Sequence, residues 1–276
     1  MGAKFTKKNS FAKSCEQRIK ESNLGHVLEQ EHHQIMEESV PYSCYEVLKF
    51  KNLSKCRYWN TSIFDRNRVI LPTEDGGSDF INSSYVDGHN VKGRFLCTEA
   101  PLQETANDFW QMIFSHQVRV IVMLTRIVEK RREACYPYWS PKSGEKLRVT
   151  DNTGASLDIK HFAYTDWPHN SLPQDPSKFL DFVLSVRKAQ LMADLDSKGG
   201  KVPPMVVHCS AGLNRTGAFC AIDISLSLYD ERAIISLSSV VRNLRKQRHN
   251  CLSLPQYYVF CYLIVLKYVK LVADKY

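Results

Sequence analysis

Apolar and polar positions along the chain follow two rhythms. In "DPSKFLDFVLSVRKAQLMADL" (175–195) apolar residues return every three or four positions, and Asp175-Pro176 stands where such a helix starts. The same spacing predicts helices over "TANDFWQMIFSH" (105–116), over 215–230, 236–248 and 255–273, and over 22–49 with a break around "VPYS". "VRVIVMLT" (118–125) and "PPMVVHC" (203–209) are instead short apolar runs of the kind buried on both faces of a sheet. "LRVTD" (147–151) and "SLDIKHFAYTDW" (156–167) read as further strands. Residues 50–100 resolve only into turns and short apolar pieces, among them "DFINSSYVDG" and "GRFLCTEAP". Strands early and helices mostly late predict an α+β fold, a mixed sheet flanked by helices.

The chain has 276 residues, 43% of them hydrophobic, enough for one large core. A single domain is expected over 22–276, after a basic, disordered segment at 1–21. The C-terminal run "YYVFCYLIVL" stops at Lys267, short of a bilayer span, and reads as a buried helix. No secretory apolar segment opens the chain, and the nine cysteines lack zinc or CxxC spacing, so a reducing cytoplasm is the expected compartment. The net charge of +8 favours anionic partners. It comes with no zinc-finger or RNP motif, so nucleic acid is not expected.

The chemistry gathers in "VVHCSAGLNRTG" (206–217), where a strand delivers Cys209 to a tight loop and a helix begins at Arg215. A lone cysteine is ordinarily a small buried hydrophobe. Here the flanking strand, glycines, arginine and threonine point elsewhere. Backbone N–H groups of such a loop can converge on a tetrahedral anion, helped by the helix N-terminus. Arginine can grip two of the anion's oxygens at once. A field of this sign favours thiolate over thiol, and a thiolate facing a bound phosphate is a nucleophile in place. The loop lacks the Gly-Lys-Ser/Thr ending of a Walker loop.

"HCSAGLNRTG" resembles the HCxxGxxR[ST]G signature of the phosphotyrosine-specific protein tyrosine phosphatases. "KCRYWNTSIFDRNRVIL", "DFINSSYVDG", "TEAPLQETANDFWQMI", "VIVMLTRIVEKRREACYPYW" and "TDWPHNSLPQDP" appear in that family's order, so the resemblance runs from about residue 25 to the end. It implies Cys209 as a nucleophile forming a cysteinyl-phosphate and Arg215 as the phosphate grip. Ser210, Ala211, Gly212, Leu213 and Asn214 would form the cradle, and Thr216 would serve the departing sulfur. Glu129 would orient Arg215, Tyr58 would wall a pocket deep enough to exclude phosphoserine, and Trp167-Pro168 would hinge a mobile loop. No cofactor or metal is implied, and the partners would be phosphotyrosine proteins. The compact, altered chain also resembles tyrosine phosphatases carried by bracoviruses of parasitoid wasps, which would place it in host-cell cytoplasm.

Four segments depart from the family pattern. His169 stands where the family has the general-acid aspartate, and an imidazolium can give up a proton near neutral pH. Asp166 is a second acidic candidate, read as a solvated surface residue. Ser253 and Tyr257 replace two glutamines that position water in the family, with Gln256 one place away as a substitute. Asn60 replaces a peptide-gripping aspartate, and Asn214 a glycine. Two readings are open: a slowed phosphatase, favoured because the thiol and anion cradle are intact, or a pseudophosphatase that binds and shields phosphotyrosine proteins. "MGAKFT" also fits the Met-Gly-x-x-x-Ser/Thr pattern for myristoylation at Gly2. With Lys4, Lys7, Lys8 and Lys13 nearby, peripheral membrane contact is an expectation, and Cys15 is a further acylation candidate by position.

Overall fold

The computed structural model describes residues 23–73, 77–139, 147–150, 154, 156–197 and 200–274. The segment expected at 1–21, with Gly2 and Cys15, lies outside them, as does Asp151. The chain opens with α1 (Leu24–Glu37) and the short α2 (Tyr45–Leu48) and α3 (Phe50–Leu53). Next come the strands β1 (Arg68–Ile70), β2 (Phe80–Val86) and β3 (Phe95–Thr98). Helix α4 (Ala106–Ser115) then leads to β4 (Val120–Met123) and a small hairpin of β5 (Val128–Glu129) and β6 (Arg132–Glu133). After β7 (Leu147–Thr150) and β8 (Ser156–Ala163), α5 (Pro176–Asp196) crosses to β9 (Met205–His208). The chain ends in α6 (Asn214–Arg232), α7 (Leu237–Arg245) and α8 (Pro255–Ala273).

Seven strands form one sheet in the order β1-β2-β3-β9-β4-β8-β7. Its centre, β3-β9-β4-β8, is parallel and its two edges are antiparallel. Successive side chains of a strand point to opposite faces, and the central strands feed two cores this way. Val120, Val122, Phe95, Met205 and Val207 pack with α5, α6 and α8, whereas Ile121, Met123, Leu96 and Val206 pack with Phe109, Met112 and Ile113 of α4. Helix α5 begins where expected: the Asp175 carboxylate accepts from the N–H groups of Ser177 and Lys178, and Pro176 opens the first turn.

Two expectations change. The stretch read as turns and apolar pieces contains β2 and β3. The middle of β2 is Asn82-Ser83-Ser84, polar in sequence yet buried, so no apolar run announces it. By length and composition α8 is long and apolar enough to cross a membrane. Its Tyr257, Tyr258, Phe260, Cys261, Ile264 and Val265 are nonetheless buried in the domain core.

The parallel strands β3, β9 and β4 end side by side. Beyond those ends the Ala100 N–H donates to the Ser210 carbonyl at 3.0 Å and the Leu124 N–H to the His208 carbonyl at 2.8 Å. Open sheets of this kind bind ligands outside the carboxyl ends of their strands.

Candidate active site

Cys209 leaves the end of β9 and is 4% exposed. The loop after it turns back at Gly212, whose φ is +67° and whose amide donates to Cys209 Sγ at 3.2 Å. A Cβ at Gly212 would lie 2.3 Å from the Thr98 carbonyl oxygen, so only glycine fits the approach to β3. Leu213 caps α6 and accepts from the Gly217 N–H at 2.9 Å. Ala211 and Leu213 remain half-buried along the loop. Thr216 is fully buried, and its hydroxyl oxygen makes no hydrogen bond among the described residues.

Arg215 and Glu129 meet across 86 positions of sequence. Arg215 Nη1 donates to Glu129 Oε1 at 2.6 Å and Nη2 to Oε2 at 2.7 Å, while Nη1 also donates to the Leu124 carbonyl at 2.8 Å. This end-on grip leaves donors on Nε and Nη2, the edge that suits two oxygens of one anion. Burial alone would raise the Glu129 carboxyl, but the Arg215 bonds outweigh it and hold the group down at about 2. Burial likewise opposes the Arg215 charge, and the Glu129 bonds raise its pKa above the ordinary value. The Thr125 hydroxyl donates to Glu129 Oε1 at 3.0 Å.

His169 also reaches Glu129: its Nδ1 lies 3.1 Å from Oε2, and its side chain is 34% exposed. Trp167 is 1% exposed, donates from Nε1 to the Ser171 carbonyl at 2.8 Å and stacks on Tyr257 at 5.6 Å between ring centres. Asp166 is exposed, as its sequence reading held. The Tyr58 hydroxyl is 2.7 Å from Ser210 Oγ, which ties the aromatic wall to the cradle. Asn60 is exposed beside it. At the second altered glutamine position, Tyr257 is buried, and its phenol lies in the field of the Arg215 charge. Gln256, the expected substitute, is only half-buried, and no bond among the described residues ties it to the cradle. Ser253 is bonded through its N–H (2.8 Å) and Oγ (3.2 Å) to Asn214 Oδ1.

Sequence reasoning missed Arg248, which is fully buried. It donates from Nε to the Gly212 carbonyl at 3.2 Å, from Nη1 to Ser84 Oγ at 3.2 Å and from Nη2 to Asn82 Oδ1 at 2.9 Å. Within "RKQRHN" it looks like one more surface cation. The polar "NSS" of β2 was the available signal, since buried oxygens need donors. Also missed was Tyr138, whose hydroxyl lies 2.7 Å from His208 Nε2 and 2.9 Å from His161 Nε2. Burial lowers His208 to about 3 and His161 to about 4, so both rings stay neutral beside the cradle.

A sequence model described as protein-tyrosine phosphatase matches residues 52–153 and 144–267. Tyrosine phosphatase-like protein J1 of Microplitis demolitor bracovirus is 46% identical over 289 aligned positions, covering 95% of this chain and 96% of that protein. Human tyrosine-protein phosphatase non-receptor type 9 is 33% identical over 79% of this chain, which spans 42% of that longer protein. Among solved structures, PTPN18 in complex with HER2-pY1196 phosphopeptides superposes with a TM-score of 0.82 at 28% identity, covering 94% of this chain and 97% of that one.

Proposed function

The chain belongs to the protein-tyrosine phosphatase family, and from that premise we propose that it hydrolyses phosphotyrosine in proteins through a cysteinyl-phosphate. The observation that carries this reading is the fork between Arg215 and Glu129, which leaves guanidinium donors uncommitted at the end of the loop that begins at Cys209. In the first step Cys209 Sγ attacks phosphorus and the bond from phosphorus to the tyrosine oxygen breaks. The free edge of Arg215 and the loop amides would hold the charge that develops on the other oxygens. The departing phenolate takes a proton, and His169 is the donor we favour. Its Nδ1–H donates to Glu129, so in the imidazolium form Nε2–H is the proton to be given up. Water then attacks phosphorus, releasing phosphate and restoring the thiol. Tyr58, bonded to Ser210, would stack on the substrate ring and set the depth of the pocket.

A second reading has its own support. Ser253 spends its one hydroxyl proton on Asn214, so it has none to donate to a water there. On that reading the protein captures phosphotyrosine and releases it slowly. Phosphotyrosine peptides, the ligands named for PTPN18, are the natural partners under either reading, in the cytoplasm.

Aryl-phosphate turnover by wild type and Cys209→Ser separates the two. The hydrolase reading expects wild type to exceed the mutant, and His169→Ala to lower kcat on an aryl phosphate with a poor leaving group. No turnover above Cys209→Ser from mildly acid to mildly alkaline pH, with phosphopeptide binding intact, leaves only capture.

A further inference from the structure

Two of the departures from the family pattern touch each other. Asn214 opens α6 and Ser253 lies 39 positions later, yet the Asn214 side-chain oxygen accepts both the N–H and the hydroxyl of Ser253. The chain leading to Ser253 is strained: Asn250 and Leu252 both have φ of +55°. A non-glycine residue keeps that conformation only where its surroundings over-determine it. Here the Arg245 guanidinium donates to the Cys251 carbonyl at 3.2 Å, and the buried His32 ring lies 2.9 Å from the Leu252 carbonyl. The Leu252 N–H donates to the Leu213 carbonyl at 3.4 Å. The turn is also pressed flat on α6, because a Cβ at Gly217 would sit 2.5 Å from Cys251 Sγ.

The helix beyond the turn gives these ties a purpose. Leu254 caps α8 and Pro255 opens it, so Tyr257 rides on the first helical turn after Ser253. A shift at Ser253 therefore moves Tyr257. The Tyr257 ring stacks on Trp167 of the expected mobile loop at 5.6 Å, and its phenol lies in the field of Arg215, the residue after Asn214. We propose that Asn214 and Ser253 form a positioning clamp that holds Tyr257 against Arg215 and so sets the anion-binding edge of the cradle. The clamp makes the altered segment a rebuilt unit: a residue lost at one place is answered by a residue gained at the other. The inference rests on the reading of the cradle as a phosphate site.

The test is a set of cycles read with tungstate, a tetrahedral anion, by titration calorimetry on the full chain. Asn214→Ala should weaken tungstate binding about tenfold. Ser253→Ala, which keeps the backbone bond, should weaken it about threefold. The double variant should bind no worse than Asn214→Ala, and Ser253→Thr should bind as wild type. In a Tyr257→Phe background Asn214→Ala should add no further loss. Losses that multiply in the double variant, a full tenfold added in the Tyr257→Phe background, or wild-type affinity in Asn214→Ala would each overturn the clamp. If Asn214→Ala does not fold, Ser253→Ala against Ser253→Thr in the wild-type and Tyr257→Phe backgrounds reads the same coupling. Aryl-phosphate turnover reports the hydrolase reading separately, because its absence leaves the tungstate cycles standing. A wild type that binds no tungstate removes the phosphate site and the clamp together.

Discussion

Arg215 and Arg248 are buried beside the same cradle, each with a glutamate in its field, and the two couples are built differently. Arg215 and Glu129 are joined at 2.6 and 2.7 Å, and both keep their charge: the arginine is raised and the carboxyl held at about 2. Arg248 spends its donors on Gly212, Ser84 and Asn82, while Glu99 accepts instead from the Arg57 N–H at 2.9 Å. Burial then wins on that side, lowering Arg248 and pushing Glu99 up to about 8, so the carboxyl stays mostly protonated at neutral pH. Contact decides between the two cases, because a desolvated charge is offset only by a partner at bonding distance. One couple is balanced and presents a free edge. The other leaves a cation behind the cradle that also feels the charge of Cys209.

The sharpest way to break this contrast is to remove each arginine. Arg215→Met should cut kcat/KM on aryl phosphate by about 10³-fold, the scale for losing a transition-state donor. Arg215→Lys should recover little of it, since an ammonium cannot reproduce the fork. Arg248→Met should instead act mainly on folding, lowering the unfolding free energy by about 3 kcal/mol as three buried acceptors lose their donor. Urea titrations and steady-state kinetics on both variants check this. Equal effects on rate and stability at the two sites would erase the distinction.

The carboxyls sharpen the contrast through pH. The folded protein holds Glu129 below the ordinary 4.5, so that group's stability is present above about 4.5 and lost as pH falls towards 2. Glu99 is held above 4.5, so its contribution is present at low pH and lost as pH rises from about 4.5 through about 8. Urea midpoints measured across both ranges should therefore lose their slope below about 4.5 in Glu129→Gln and their slope between about 4.5 and about 8 in Glu99→Gln. Parallel slopes in the two variants would contradict the assignment. The smallest effect belongs to Tyr58→Phe, which keeps the aromatic wall and gives up one hydrogen bond to Ser210. It should raise KM for a phosphopeptide by about threefold with kcat unchanged, in line with a single neutral bond.

The buried arginine also accounts for what the sequence left hidden. Strands β4 and β9 were legible because their residues are apolar on both faces, and α5 because Asp175 and Pro176 mark its start. Strand β2 was not, because Asn82 and Ser84 sit in its middle to receive Arg248. The same bonds explain why Arg248 was overlooked: its role depends on oxygens more than 160 positions away. At the cradle, the sequence anticipated Cys209, Gly212 and Arg215 as one loop; Gln256, its candidate for the missing glutamine, is half-buried, while its neighbour Tyr257 is buried and stacks on Trp167. The turn before α8 sets which of two neighbouring side chains faces inward, and that turn is held by His32, Arg245 and Asn214 from elsewhere in the chain.

By itself the sequence determined the strand, the tight loop and the helix after it, since these rest on apolar period, glycine and capping among residues close in the chain. It also determined that a thiol and a guanidinium share one loop. Tertiary structure alone decided their partners. Parallel β3, β9 and β4 had to end together before Glu129 could take Arg215, and α8 had to pack on α6 before Ser253 could meet Asn214. Hydrogen bonds and ion pairs act only over a few ångströms, so which groups come within that range is settled by the order of strands and the packing of helices.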